Sequence, residues 1–145
     1  MTNPIQIVID TNVFVSALRS QRGASHVLLK LVGLCPAFEI NLSVPLVLEY
    51  EEVARRQQHI HGLPDSDIRA IIDYLCAVGN HRDIYYLWRP FLRDPADDMV
   101  LEIAVEAGCD IIVTFNGDDF GGVEPQFGIR TLTPAAFLKE IGVLE

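Results

Sequence analysis

Basic residues are scarce in this chain of 145 residues: 11 lysines and arginines stand against 20 aspartates and glutamates, a net charge of −9. That balance excludes a protein that coats DNA or RNA with a broad basic surface. It leaves room for a nuclease, because a metal pocket is itself built from carboxylates. Cysteine is scarce too. Cys35, Cys76 and Cys109 are an odd number at wide spacing with no C-x-x-C, so neither a disulfide framework nor a zinc ribbon is signalled. Buried thiols in a reducing cytosol are the plain reading. No apolar run approaches the ~20 residues of a membrane span, and the opening MTNPIQIVID lacks the basic stretch and apolar core of a secretory signal. The expectation is a cytoplasmic protein without membrane contact.

Several phosphate-handling designs are missing as well. There is no G-x-G-x-x-G and no G-x-x-x-x-G-K-[ST], so neither a dinucleotide nor a nucleoside triphosphate is indicated. Asp10-Thr11-Asn12 lacks the second carboxylate of a D-x-D phosphotransferase loop, and Ser16 and Ser43 lack evident His and Asp partners for a hydrolytic triad. His59 and His61, two apart, read as a solvated pair on a loop.

What the chain does have is core-forming material, with 50% hydrophobic and 21% charged residues. It reads as one domain, 1–145, without repeat or linker. Short apolar runs at 5–9, 38–43, 83–87, 111–113 and 129–132 read as strands. Helical patterns occupy 12–18, 24–32, 45–58, 67–78 (with Ser66 as cap), 99–107 and 134–141. In the 99–107 helix Glu102 and Glu106 read as one wet stripe on an otherwise apolar rod. The stretches 57–63 and 116–128 read as loops. Strands alternating with helices argue for an α/β fold, a central parallel sheet between helical layers. Such sheets bind ligands beyond the carboxyl ends of their strands, which singles out Asp10 and the 114–119 segment.

The remaining candidates are acidic. Asp10 ends the first strand, where aspartate serves equally as a turn former or a ligand. Glu49 and Glu51 flank an apolar arc of Leu46, Val47, Tyr50, Val53 and Ala54, while Glu52 points away from it. Asp94, Asp97 and Asp98 crowd a helix start, where Asp94 as N-cap with Pro95 after it explains part of the cluster without a metal. Asp118 and Asp119 follow Asn116-Gly117. If Asp10, Glu49, Asp97 and Asp119 converge, their repulsion calls for a cation. Oxygen-only donors favour magnesium or manganese over zinc.

Four segments carry a family resemblance: I-V-I-D-T-N-V-F-V-S-A-L at 7–18, S-V-P-L-V-L-E-Y-E-E-V at 43–53, R-D-P-A-D-D-M-V-L-E-I-A at 93–104 and D-I-I-V-T-F-N-G-D-D-F at 110–120. In this order they resemble the PIN-domain ribonucleases, in the VapC-like branch of toxins from toxin–antitoxin pairs. The resemblance implies a three-layer α/β/α sandwich and a magnesium- or manganese-dependent endoribonuclease. It implies an RNA substrate, a cognate antitoxin and a homodimer. Residue by residue, it gives Asp10, Glu49 and Asp97 the role of metal-binding catalytic acids, with Asp98 as a substitute for Asp97. Thr11, Asn12, Ser16 and Thr114 correspond to polar residues that orient the acids.

The pattern departs at Asn116, where many members of the family carry aspartate. Asp119 then takes the fourth position, as in the T-F-N-x-x-D-F variant. Arg19 and Arg22, just past the first helical segment, are candidate RNA contacts. The competing reading is a catalytically silent PIN fold serving as an RNA-binding or protein-interaction module, kept open by Asn116. A receiver-like signalling domain would need a late lysine beside its acids, yet the only lysines are Lys30 and Lys139.

Overall fold

The computed structural model describes residues 3–145. Five parallel strands form one sheet in the order β3-β2-β1-β4-β5: β1 Ile5–Ile9, β2 Phe38–Leu42, β3 Asn80–His81, β4 Ile111–Val113 and β5 Arg130–Leu132. Consecutive strand residues point to opposite faces. Ile7, Val8, Ile111, Ile112 and Val113 are all fully buried, so both faces of the central strands are covered. The covering helices are α1 Thr11–Arg19, α2 Ala24–Leu31, α3 Val44–Arg56, α4 Gln58–His61, α5 Asp65–Val78, α6 Pro95–Glu106, α7 Val123–Phe127 and α8 Pro134–Glu140. The expected three-layer α/β/α sandwich with a central parallel sheet is the fold. Helix α6 packs across β1, β2 and β4, and α1 packs with α2 and α3.

Caps fix where the elements begin. Asp10 caps α1 by accepting from the Thr11 amide, Ser43 caps α3 from Leu46, Asp94 caps α6 from Ala96 and Thr133 caps α8 from Ala136. Three of these caps directly follow a strand, so three helices start at the carboxyl edge of the sheet.

The structure corrects six sequence expectations. The strand expected at 83–87 is instead the two-residue β3. The Arg82 amide makes the last bond, to the Leu42 carbonyl, and β2 turns into α3 at that point, leaving nothing further to pair with. Ser66 is not a cap, because α5 already starts at Asp65 with the extended Pro64 before it. The 57–63 loop contains α4, closed by Gly62 at φ 73°, a conformation that favours glycine. His61 is not a free solvated side chain: its Nε2 pairs with the Ala54 carbonyl and its Nδ1 accepts from the Leu63 amide. The 116–128 loop contains a 3-10 turn, Gly117–Phe120, and α7.

Glu102 is the sixth correction. It is 2% exposed rather than part of a wet stripe. Its carboxylate accepts from the Arg89 guanidinium (Nη2 at 2.5 Å, Nε at 3.0 Å) and from the Trp88 amide at 3.0 Å. Thirteen residues of chain separate the pair, so helical periodicity has no access to it.

Candidate active site

The carboxyl ends of β1 and β4 are tied together by side chains that the sequence itself delivers there. Buried Asp10 accepts at Oδ1 from the Thr11 amide (2.8 Å) and at Oδ2 from the Thr114 hydroxyl (2.8 Å). The Thr11 hydroxyl donates to Glu49 Oε2 at 2.5 Å, bringing α3 to the same point. Asn12 bridges to the far strand: its Nδ2 donates to Thr114 Oγ1 and its Oδ1 accepts from the Phe115 amide, both at 3.4 Å. The Asn116 amide donates to Thr114 Oγ1 at 3.0 Å. Two threonines and one asparagine therefore position three elements around Asp10.

Tyr50 completes the frame, and sequence reasoning placed it only in the apolar arc. Its buried ring stacks on Phe14 (centroids 4.6 Å apart, planes at 16°) and its hydroxyl donates to the Ile9 carbonyl. Burial, then the charges of Asp10 and Glu49, push the phenol well above its usual range, so it stays a neutral donor. One residue from Glu49 and bonded one residue before Asp10, it fixes the roll of α3 against β1. A tyrosine on the apolar arc beside the candidate glutamate was the available signal.

Asp10, Glu49, Asp97 and Asp119 all line one cleft of about 310 Å³, together with Asn12, Asn116, Asp94 and Arg19. Four separated stretches of sequence thus meet at the carboxyl edge of the sheet. Asp94, expected only as a cap, serves both as cap and as cleft wall. The Asp119 amide donates to the Asn116 carbonyl at 2.9 Å, folding the 3-10 turn back so that both residues reach the cleft while Asp118 does not. Gly117 has no positive φ. An added Cβ there would lie 3.1 Å from Thr131 Oγ1, a tight contact that the threonine side chain would have to ease.

The crowding of acids changes their proton affinity. Asp97 is pushed from its ordinary 3.8 to about 7, first by burial and then by Asp10, Asp94, Asp119 and Glu49. Asp10 is raised too: burial outweighs its bonds from Thr114 and Thr11, and Glu49 and Asp119 add to it. Among the described residues no three carboxylate, histidine or cysteine side chains stand at metal-holding spacing. The acids share a cleft without closing on one point. The donor set nevertheless fits a hard divalent cation, since every candidate offers oxygen and none sulfur or nitrogen. Such a cation would relieve the repulsion that Asp97 registers.

Three candidates lie elsewhere. Asp98 is buried away from the cleft, its Oδ1 accepting from the amides of Leu92 (2.8 Å) and Phe91 (3.3 Å), so it holds a loop rather than substituting for Asp97. Ser16 sits one turn beyond Asn12 on α1, outside the cleft lining, and Arg22 lies exposed beyond it. Arg19, by contrast, lines the cleft.

A family model described as "PIN domain" matches residues 6–118. Among solved structures the chain is similar to VapBC2 from Rickettsia felis bound to a DNA fragment from their promoter. The TM-score is 0.59 at 12% identity, over 89% of this chain and 98% of that one. At that identity the likeness is one of fold. No curated protein matches the sequence.

Proposed function

The chain belongs to the PIN-domain family, and we propose that it is a metal-dependent endoribonuclease that hydrolyses RNA phosphodiester bonds as the toxin of a toxin–antitoxin pair. The observation that carries this reading is the meeting of Asp10, Glu49, Asp97 and Asp119 in one cleft. Burial, and then its acidic neighbours, keep Asp97 short of full ionisation near neutral pH. Magnesium or manganese, held by these four carboxylates, would activate a water and neutralise charge on the scissile phosphate. The chain's own residues do the rest. Thr11 and Thr114 hold the Asp10 carboxylate in a fixed orientation. Thr11 also fixes Glu49 beside it. With the charge of Asp10, Asp94, Asp119 and Glu49 offset, Asp97 would lose the repulsive part of its raised proton affinity and ionise more readily, its proton passing to solvent. Arg19 on the cleft wall supplies the cationic contact for a phosphate that an otherwise acidic site lacks.

A cognate antitoxin protein, a homodimer and a cytoplasmic location belong to the same proposal, in line with the VapBC likeness. No helix among the described residues is long and apolar enough to cross a membrane. The test is cleavage of single-stranded RNA by the purified chain, freed of any partner, with magnesium, manganese or chelator. Cleavage that needs the metal and falls by orders of magnitude in Asp10→Asn is the expected outcome. Intact RNA with both metals would instead favour the silent, RNA- or protein-binding module.

A further inference from the structure

Residues 82–93 run from the carboxyl end of β3 to Asp94 on the cleft wall, so this strap lies along the sheet edge that carries the acids. It has no regular structure beyond its first pairing, yet it is firmly held. Buried Glu102 takes the Trp88 amide and the Arg89 guanidinium, and buried Asp98 takes the amides of Phe91 and Leu92. Two carboxylates are desolvated to fix one surface loop, a cost that their hydrogen bonds to that loop offset.

The held backbone turns large rings outward. Tyr85 is 82% exposed, Tyr86 62% and Phe91 40%. Two of the chain's four tyrosines and its one tryptophan fall in this strap. Trp88 sits half-buried beneath, 4.6 Å from the Tyr86 ring and 5.0 Å from Phe127, which also meets Phe91 at 5.4 Å. Phe91 lies beside Gly122, where an added Cβ would be 3.8 Å from its ring, just past the turn that bears Asp119. Exposed Arg93 has no ion-pair partner among the described residues.

We propose that this aromatic strap is a stacking platform for the bases of single-stranded RNA, holding the strand along its approach to the acidic cleft. The proposal rests on the nuclease reading and names how its substrate is held. A protein of net charge −9 with an acidic cleft gains little from general attraction to phosphate. Stacking supplies affinity that does not depend on charge and tolerates any base. Bases are available for it only in a single strand, because a duplex hides them. Arg93, between the rings and Asp94, is placed to meet the backbone phosphate.

Trp88 makes the proposal measurable, since rings stacked beside it quench its emission. In chelator, so that nothing is cleaved, an oligouridylate of about 10 nucleotides is expected to quench Trp88 with a shallow dependence on salt. The same strand annealed to oligoadenylate is expected to leave the emission unchanged. Tyr85→Ala/Tyr86→Ala, at exposed positions, should remain folded, its melting temperature lowered by no more than about 5 °C for the lost Tyr86–Trp88 contact. It should bind oligouridylate at least about tenfold more weakly and raise KM for RNA cleavage by a similar factor. If the wild type cleaves RNA and the double variant matches it in affinity and KM, the platform is overturned and the nuclease reading stands. If no RNA is cleaved but quenching still depends on the two tyrosines, the platform stands and the nuclease reading falls. A dimer that dissociates in the double variant, with RNA affinity unchanged, would make the strap a protein contact and overturn the proposal.

Discussion

At the scale of single residues, the fourth acid is the sharpest point. Asp119 reaches the cleft because its amide folds back to the Asn116 carbonyl, and its neighbour Asp118 stays outside. Asp119→Asn is therefore expected to reduce metal-dependent cleavage by orders of magnitude, Asp118→Asn to leave it near wild type, and Asn116→Asp to be tolerated. Comparable rates for Asp119→Asn and wild type would remove Asp119 from the site.

Asp97 yields a pH prediction. Its folded-state pKa of about 7 lies above the ordinary 3.8, so between those values the folded state binds the proton and the unfolded state does not. Stability of the metal-free protein should therefore fall as pH rises from about 4 to about 7 and level off above. Melting temperatures across that range should decline in wild type and decline less in Asp97→Asn or with saturating magnesium. A wild-type curve that rises through this window, with the variant parallel to it, would contradict the crowding of acids around Asp97.

Asp10 and the 114–119 segment were legible in the sequence because both follow apolar strands. The choice of Asp119 over Asp118, and of Asp97 over Asp98, came from the family resemblance and not from the local pattern. Adjacent helical residues are about 100° apart, and only the packing of α6 shows that Asp94 and Asp97 face the cleft while Asp98 and Glu102 face the strap.

At the scale of elements, α6 does two jobs with two acidic faces. One face lines the cleft; the other anchors the strap through Glu102 and Arg89, and through Asp98. Arg89→Ala leaves the Glu102 carboxylate buried with only the Trp88 amide as donor, and should destabilise the protein by about 2–3 kcal/mol. Chemical denaturation of Arg89→Ala and Arg89→Ala/Glu102→Leu checks this. The double variant should recover part of the loss, since it removes the orphaned charge as well as its partner. A smaller loss in the single variant than in the double would show that the pair is not what holds Glu102 in the core.

The element pattern itself was readable for the buried strands, the capped helices and the alternation between them. It failed where a long-range partner decided the outcome. The 83–87 run is as apolar as a strand, yet β2 turns away at Ser43 and leaves it unpaired. Glu102 looked solvated because its partner lies on a loop rather than on α6.

At the scale of the whole molecule, the parallel order β3-β2-β1-β4-β5 puts every strand's carboxyl end on one edge. Residues distant in sequence, from Asp10 to Asp119, meet there for that reason. The proposed cleavage of a polyanion by so acidic a chain would require the cleft to be neutralised first, which puts the cation at the centre. The most direct measurement is an anomalous difference map from crystals of this protein soaked in manganese. The expected result is a peak in the cleft within about 2–3 Å of carboxylate oxygens from Asp10 and at least one of Glu49, Asp97 and Asp119. A fully soaked crystal with no peak there, or with manganese bound only at other acids, would contradict it.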